Sequence, residues 1–254
     1  MNSDTNMLLY IFKDLKTVLD KHQVTFWLEH GTLLGAVREG KIMDSDNDID
    51  LATASTEILL KKIDLIRKEL YDLGYDVYIT ESRLNLKKEE KHVSLYLYHC
   101  NVIPEHITRR RISKKNFIGK ILVYCFLRGL ATSHKDLIHK YTPKTRAIQL
   151  TKWIVRTFLP KEMHSLILSF GIKTNSIISY NVNVPVSYVE MFKEINFYDM
   201  NVRVPMKSEK YLEHIYGKNW RIPDKNWHPW KSFYDLMKEY NDKFEDIRLK
   251  KGKE

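Results

Sequence analysis

Asp46, Asp48 and Asp50 are spaced two apart within Phe26–Thr53 (FWLEHGTLLGAVREGKIMDSDNDIDLAT), the one dense carboxylate cluster that follows a glycine-containing turn. In a strand, that period puts all three side chains on one face. Three carboxylates so placed repel one another unless a cation sits among them. A hard cation such as Mg²⁺ takes one or two carboxylates together with substrate phosphate oxygens. Upstream, Thr25–His30 suits a short strand, and Gly31-Thr32 is expected to break it before a brief helical segment through Arg38. A glycine at such a turn lets backbone N–H groups approach an anion, and the helix start adds dipole density that favours phosphate. Glycine turn and acidic strand together describe a site for a metal-bound phosphate compound. Acid-rich turns such as DSDND are also common solvated loops, and Asp-x-Asp alone is a short pattern. The intervening GAVR and the apolar flanks favour the site.

Elements able to position these residues are readable on both sides. Leu8, Ile11, Phe12, Leu15, Val18 and Leu19 recur at helical spacing within residues 4–21, with Asp4 as the expected N-cap. Thr56–Leu73 repeats the pattern through Ile58, Leu59, Ile63, Ile66, Leu70 and Leu73, with Gly74 as C-cap. Strands are expected at Tyr75–Thr80, Arg83–Lys87 and His92–Tyr98. In the last, Val93, Leu95 and Leu97 would face the core and Ser94, Tyr96 and Tyr98 the site. The predicted architecture is α+β, a mixed sheet flanked by helices.

HGTLLGAVREGKIMDSDNDIDL resembles the signature of the LicD family, which includes fukutin and fukutin-related protein, within the DNA polymerase beta-like nucleotidyltransferase superfamily. A second block, Phe197–Pro223 (FYDMNVRVPMKSEKYLEHIYGKNWRIP), is similar to the family's C-terminal pattern of an aromatic-acid pair, a Val-Pro step, a Tyr-Leu helix and a Tyr-Gly turn. Residues 100–190 match only in position and character. The resemblance implies a nucleotidyltransferase-like catalytic core over residues 1–100, a basic helical insert over 101–183 and a LicD-type block over 184–254 packing on the core.

It further implies transfer of phosphocholine or a phosphoalditol from a CDP-linked donor to a hydroxyl of a glycan or lipid-linked glycan, with release of CMP. Mg²⁺ (or Mn²⁺) would sit at Asp48 and Asp50 and bridge the diphosphate. Gly31 and Thr32 would hold phosphate oxygens, Arg38 and Arg83 would clamp them, and Asp46 would orient or deprotonate the acceptor. His228 resembles a recurrent histidine of the family, and the aromatic faces near Trp220, Trp227 and Trp230 could hold a cytosine ring or a quaternary ammonium, or else pack an irregular corner. The superfamily's later-strand carboxylate is expected where this chain has Ser94. Three readings stay open: Asp46 supplies the third carboxylate from the same strand, two carboxylates act with another base, or catalysis is impaired. A nucleotidyltransferase releasing pyrophosphate and a nucleotide-binding protein without turnover are the alternatives to phosphotransfer.

The 254 residues are 43% hydrophobic and 29% charged, as in a soluble globular protein, and carry a formal charge of +10 with pI ≈ 9.3. Such basicity asks for an anionic partner. The basic, apolar stretches Arg109–Lys120 and Ile148–Phe170 read as helices with a solvated face, as a surface lying on an anionic leaflet, or as a nucleic-acid surface, which the core-like spacing of nearby aromatics disfavours. The expectation is no nucleic acid and a contact with the inner membrane face as a peripheral option. Cys100 and Cys125 are expected to be buried thiols, and the N-terminal sequence reads as no signal peptide, placing the protein in the cytoplasm. Gly171–Asn183 reads as a loop, Glu190–Asn196 as a short helix, Val202–Pro205 as a strand, Ser208–Tyr216 as a helix capped by Ser208 and stopped by Gly217, and residues 232–248 as a terminal helix.

Overall fold

The six apolar positions from Leu8 to Leu19 are all buried on one face of helix α1 (Ser3–Lys21), so the stripe read from the sequence is the stripe that packs. The structure is a computed structural model describing residues 3–44, 46–55, 57–80, 82–103, 105–122 and 163–224, together with residues 158, 235, 236 and 238. After α1 come β1 (Trp27–Leu28), α2 (His30–Arg38), β2 (Asp48–Ser55), α3 (Glu57–Asp72), β3 (Asp76–Thr80), β4 (Arg83–Lys88), β5 (Lys91–Ile103) and β6 (His106–Lys114). Next are α4 (Phe117–Ile121), α5 (Met163–Lys173), β7 (Ile177–Pro185), the single turn α6 (Val186–Val189), β8 (Phe192–Phe197), β9 (Met200–Pro205) and α7 (Ser208–Tyr216).

The chain divides into two compact units. One comprises Met1–Tyr78, Ser82–Arg109 and Asn181–Glu254; the other comprises Ile79–Glu81 and Arg110–Tyr180. In the first, the strand order is β1-β2-β5-β4-β3, with β6 beside β5. β2 and β5 run parallel with Asp48 opposite His92 and Asp50 opposite Ser94, while β1 pairs antiparallel with β2 and β4 antiparallel with β5. Because side chains alternate, register assigns every residue to a face. Ile49, Leu51, Val93, Leu95, Leu84 and Leu86 share one face and are fully buried on the side where α1 packs. Asp48, Asp50, His92, Ser94, Tyr96, Arg83, Asn85 and Lys87 share the other.

A hairpin of β8 and β9 forms a second small sheet, and β9 lies against β1. Glu190–Asn196, expected as a helix, is largely strand β8: its residues pair with β9, and Phe192 stacks on Trp27 at 5.4 Å. Tertiary pairing here overrides a local pattern too short to decide. Helix α7 has the expected bounds and ends at Gly217 with φ +85°, and α3 is followed by Gly74, also at φ +85°. Lys207, not Ser208, is the N-cap residue of α7, since the Ser208 hydroxyl donates to the Pro205 carbonyl instead.

In the second unit α4 is capped by Asn116, whose side chain accepts from the Gly119 N–H at 2.8 Å, and Leu168 and Ile177 are buried against Leu122 and Ile167. The segment 101–183 is not wholly helical. β5 runs on to Ile103, Arg109–Lys114 belongs to strand β6, and Gly171–Asn183 is the end of α5 and most of β7 rather than a loop. Cys100 is exposed, not buried. Cys125, Trp227, His228, Trp230 and most of residues 232–248 lie outside the described residues, as does nearly all of the second basic stretch before Met163. Among the described residues no helix is long and apolar enough to cross a membrane.

Candidate active site

Asp48 and Asp50 open β2 on the same face, and the backbone around them is tied on both sides: the Asp50 carbonyl accepts from Glu29 N–H at 2.9 Å, and the Asp50 N–H donates to the Thr32 hydroxyl at 2.9 Å. Asp46 is not on this strand. It sits in the preceding turn, where its N–H donates to the Met43 carbonyl at 2.9 Å, so the period of two ends at Asp48. Asp46 nonetheless stays within electrostatic reach of Asp48. Burial, then Asp48, push its carboxyl up to about 6, against the pull of Arg38. Asp50 is raised well above the ordinary range by burial and then by Asp48, against Arg109 and Arg83. His92 Nε2 lies 3.1 Å from Asp48 Oδ2.

A group raised on folding stabilises the protein below its unfolded value and loses that contribution as pH climbs through the folded one. For Asp46 the window is 3.8 to about 6. Metal-free Asp46→Asn is therefore expected to be more stable than the parent by about 1–2 kcal/mol near pH 7.5, after discounting for partial exposure, and equal to it near pH 4. Thermal unfolding in chelator at the two pH values checks this.

The turn expected at Gly31 is displaced by one residue. His30 takes the positive φ (46°) and begins α2, leaving Gly31 inside its first turn. What Gly31 supplies is space: a Cβ there would stand 2.5 Å from Asp46 Oδ2. Thr32 is buried with its hydroxyl engaged by Asp50, so its side chain braces the acidic strand. A Cβ on Gly35 would stand 2.5 Å from the Lys41 carbonyl, which is backbone and cannot swing aside. Gly35→Ala should push the loop that carries Asp46 and lower stability by about 1–3 kcal/mol, measured by urea unfolding.

The Nε and Nη2 of Arg38, expected to clamp phosphate, both donate to Glu39 Oε1, at 3.0 and 2.6 Å. Arg83 lies on the site face, with its guanidinium 5.9 Å from the Tyr96 ring centre. The cation that the sequence hid is Arg109, inside the run Arg109-Arg110-Arg111. It is 3% exposed, stacks over Tyr96 at 4.1 Å and Tyr98 at 5.3 Å, and donates from Nη2 to His30 Nε2 at 2.7 Å. Arginine cannot accept, so His30 Nε2 is the acceptor and the ring proton is on Nδ1. Two buried donors of this face have no hydrogen-bond partner, Arg109 Nε and Asn85 Nδ2. Asn85 stands opposite Ser94, whose hydroxyl donates to Asn85 Oδ1 at 3.1 Å, and Ser94 stands opposite Asp50.

Glu29 was also missed. It is fully buried and accepts from Tyr98 at 2.9 Å, from Tyr211 at 2.8 and 2.6 Å, and from the Trp27 indole at 3.0 Å, joining β1, β5 and α7. Burial raises its carboxyl above the ordinary value against those hydrogen bonds and Arg109. A lone glutamate in WLEHG carries no local sign of burial; the tyrosine partners are 69 and 182 residues away.

The donor chemistry of Asp48 and Asp50 fits a hard divalent cation: two carboxylate oxygens on one face, mutually repelling, beside donors suited to phosphate. Among the described residues no cluster of three or more His, Cys, Asp or Glu side chains forms a metal site, so a cation there would draw its other ligands from substrate and water.

The fold is thus a mixed α+β sheet with an acid pair opening one central strand, braced by the start of an adjoining helix. Residues 23–110 match the model of the LicD/FKTN/FKRP nucleotidyltransferase domain. Two rickettsial proteins described as uncharacterized are similar over part of it: RP689 of Rickettsia prowazekii (strain Madrid E), 38% identical over 71 residues, covering 28% of this chain and 26% of that protein, and RT0683 of Rickettsia typhi (strain ATCC VR-144 / Wilmington), 28% identical over 92 residues, covering 36% and 28%. The chain thus spans about a quarter of these relatives' length. Among solved structures, ANT(2")-Ia in complex with adenylyl-2"-tobramycin aligns over 66% of this chain and 98% of that one, with 12% identity and a TM-score of 0.29. A solution structure of ANT(2'')-Ia aligns over 68% and 95%, with 11% identity and a TM-score of 0.32.

Proposed function

We propose that the protein is a phosphotransferase that moves phosphocholine, or a related substituted phosphate, from a CDP-activated donor to a glycan hydroxyl and releases CMP. The observation that carries this is the composition of one sheet face: the Asp48–Asp50 pair beside the buried, incompletely paired donors Arg109 Nε and Asn85 Nδ2. Paired acids with buried donors suit a metal–diphosphate better than a free anion or a free cation.

Mg²⁺ or Mn²⁺, when bound at Asp48 and Asp50, would neutralise charge on the diphosphate as the CMP leaving group departs. Arg83 and Arg109 hold the diphosphate oxygens, with Tyr96 fixing the Arg109 guanidinium. Asp46 orients the acceptor hydroxyl and takes its proton. The acceptor oxygen bonds to the phosphorus bearing the head group, the bond from that phosphorus to the bridging oxygen breaks, and CMP leaves with the electron pair. Arg38 pairs with Glu39 and draws down the Asp46 carboxyl. The net charge of +10 suits attraction to an anionic leaflet carrying a lipid-linked acceptor, and the inner membrane face is the proposed place of action.

Product analysis with CDP-choline, CDP-ribitol, CDP-glycerol and CTP, with and without Mg²⁺, tests the reading. Metal-dependent CMP from a CDP-linked donor supports it. Pyrophosphate from CTP would instead identify nucleotidyl transfer, and no product from any donor would leave a nucleotide-binding protein.

A further inference from the structure

Asp46 has a second environment. With Asn47, Lys41, the N-terminal turns of α1 and Tyr198 it lines a cavity of about 510 Å³, within the size range of small-molecule sites, all inside the first compact unit. Its two lysines are each neutralised by an acid of the same wall, Lys91 by Asp4 at 2.8 Å and Lys41 by Asp44 at 2.8 Å. Counting Asp46, the acids outnumber the bases, so this cavity disfavours a diphosphate. Neither Arg83 nor Arg109 lines it. Amide, hydroxyl and carboxylate groups beside one tyrosine ring are instead the surface that hydrogen-bonds and stacks on a neutral polyhydroxyl compound.

The tyrosine is held in place at a cost. Phe197 pairs with Met200, so the β8–β9 connection is the two residues Tyr198 and Asp199, both at positive φ (50° and 61°). Such turns ordinarily use Asn-Gly, and a bulky residue there carries backbone strain. What the turn achieves is placement: the Tyr198 hydroxyl accepts from the Ile42 N–H at 3.1 Å, tying the hairpin tip to the loop that bears Asp46. The aromatic-acid pair of the C-terminal block thereby acquires a task.

We infer that this cavity is the acceptor subsite and takes an uncharged sugar residue, delivering its hydroxyl to Asp46. The inference rests on the phosphotransfer reading for the hydroxyl's fate, but the binding can be tested without turnover.

Amide chemical shifts of the wild-type protein are followed while methyl glycosides of glucose, galactose and N-acetylgalactosamine, and separately glucose 1-phosphate, are added. A neutral glycoside shifting Thr5, Asn47 and Lys91 is expected. Shifts absent from the cavity for every neutral glycoside, or stronger there for the phosphorylated sugar, overturn the assignment. With a turned-over CDP donor, Asn47→Trp should move the partition from transfer to a sugar toward hydrolysis by at least about tenfold, and an unmoved partition counts against the subsite. Absence of any CMP from the wild type refutes the phosphotransfer reading alone, because the shift map still decides where the sugar sits.

Discussion

Asp48→Asn combined with Asp50→Asn is expected to lower metal-dependent CMP release by at least about 10³-fold, several kcal/mol of lost charge stabilisation. The same variant should be no less stable than the parent when metal-free. Asp50 is raised by burial and by Asp48, so its ionised form is a burden on the fold that asparagine removes while keeping size and one hydrogen-bonding oxygen. The two readouts separate chemistry from folding. A misfolded variant loses both activity and stability; a variant stripped of its metal site loses activity and holds or gains stability. Turnover within tenfold of the parent would remove these carboxylates from the mechanism. Calorimetric titration with Mg²⁺ and CDP-choline supplies an independent check, since the double variant should lose the metal dependence of donor binding.

Glu29→Ala should be the most destabilising single change in the first unit, by about 3–5 kcal/mol, because it strands a buried arginine and several buried donors at once. Tyr98, Tyr211 and Trp27 would each lose an acceptor, and Arg109 would lose a nearby negative charge. Glu29→Gln keeps the shape and the uncharged carbonyl. Glu29 is raised on folding, so the parent's stability from this group is present below 4.5 and declines as pH rises past it toward the folded value. The glutamine variant lacks that decline. The gap between parent and Glu29→Gln, measured by chemical denaturation, should therefore narrow from acid toward neutral pH. A gap that widens instead would show that Glu29 contributes mainly as an anion.

Sequence by itself determined the parts in which local pattern and fold agree. The α1 stripe, the extents of α3 and α7, the alternation of β5 and the placement of Asp48 and Asp50 on one strand face all follow from periods of 3.6 and 2 that tertiary packing reinforces. It also carried the similarity to the LicD/FKTN/FKRP domain model, because the glycine, threonine and acids of that block sit within a stretch of 20 residues, Gly31–Asp50.

Only the tertiary structure decided which distant groups complete the face. Arg109 was one arginine in a basic run until β6 laid it over Tyr96 and Tyr98, and Glu29 was unremarkable until α7 brought Tyr211 to it. Ser94 stands opposite Asp50 through a parallel pairing across more than 40 residues of chain, and Asn85 stands opposite Ser94 in turn. Asp46 left the strand because its backbone bonds to Met43, and the Arg38 guanidinium found a partner in the neighbouring Glu39. A period read along the chain can say which way side chains point while the element lasts. Where an element stops, and which charge finds a nearer partner, are decided by competition among contacts that the linear order does not contain.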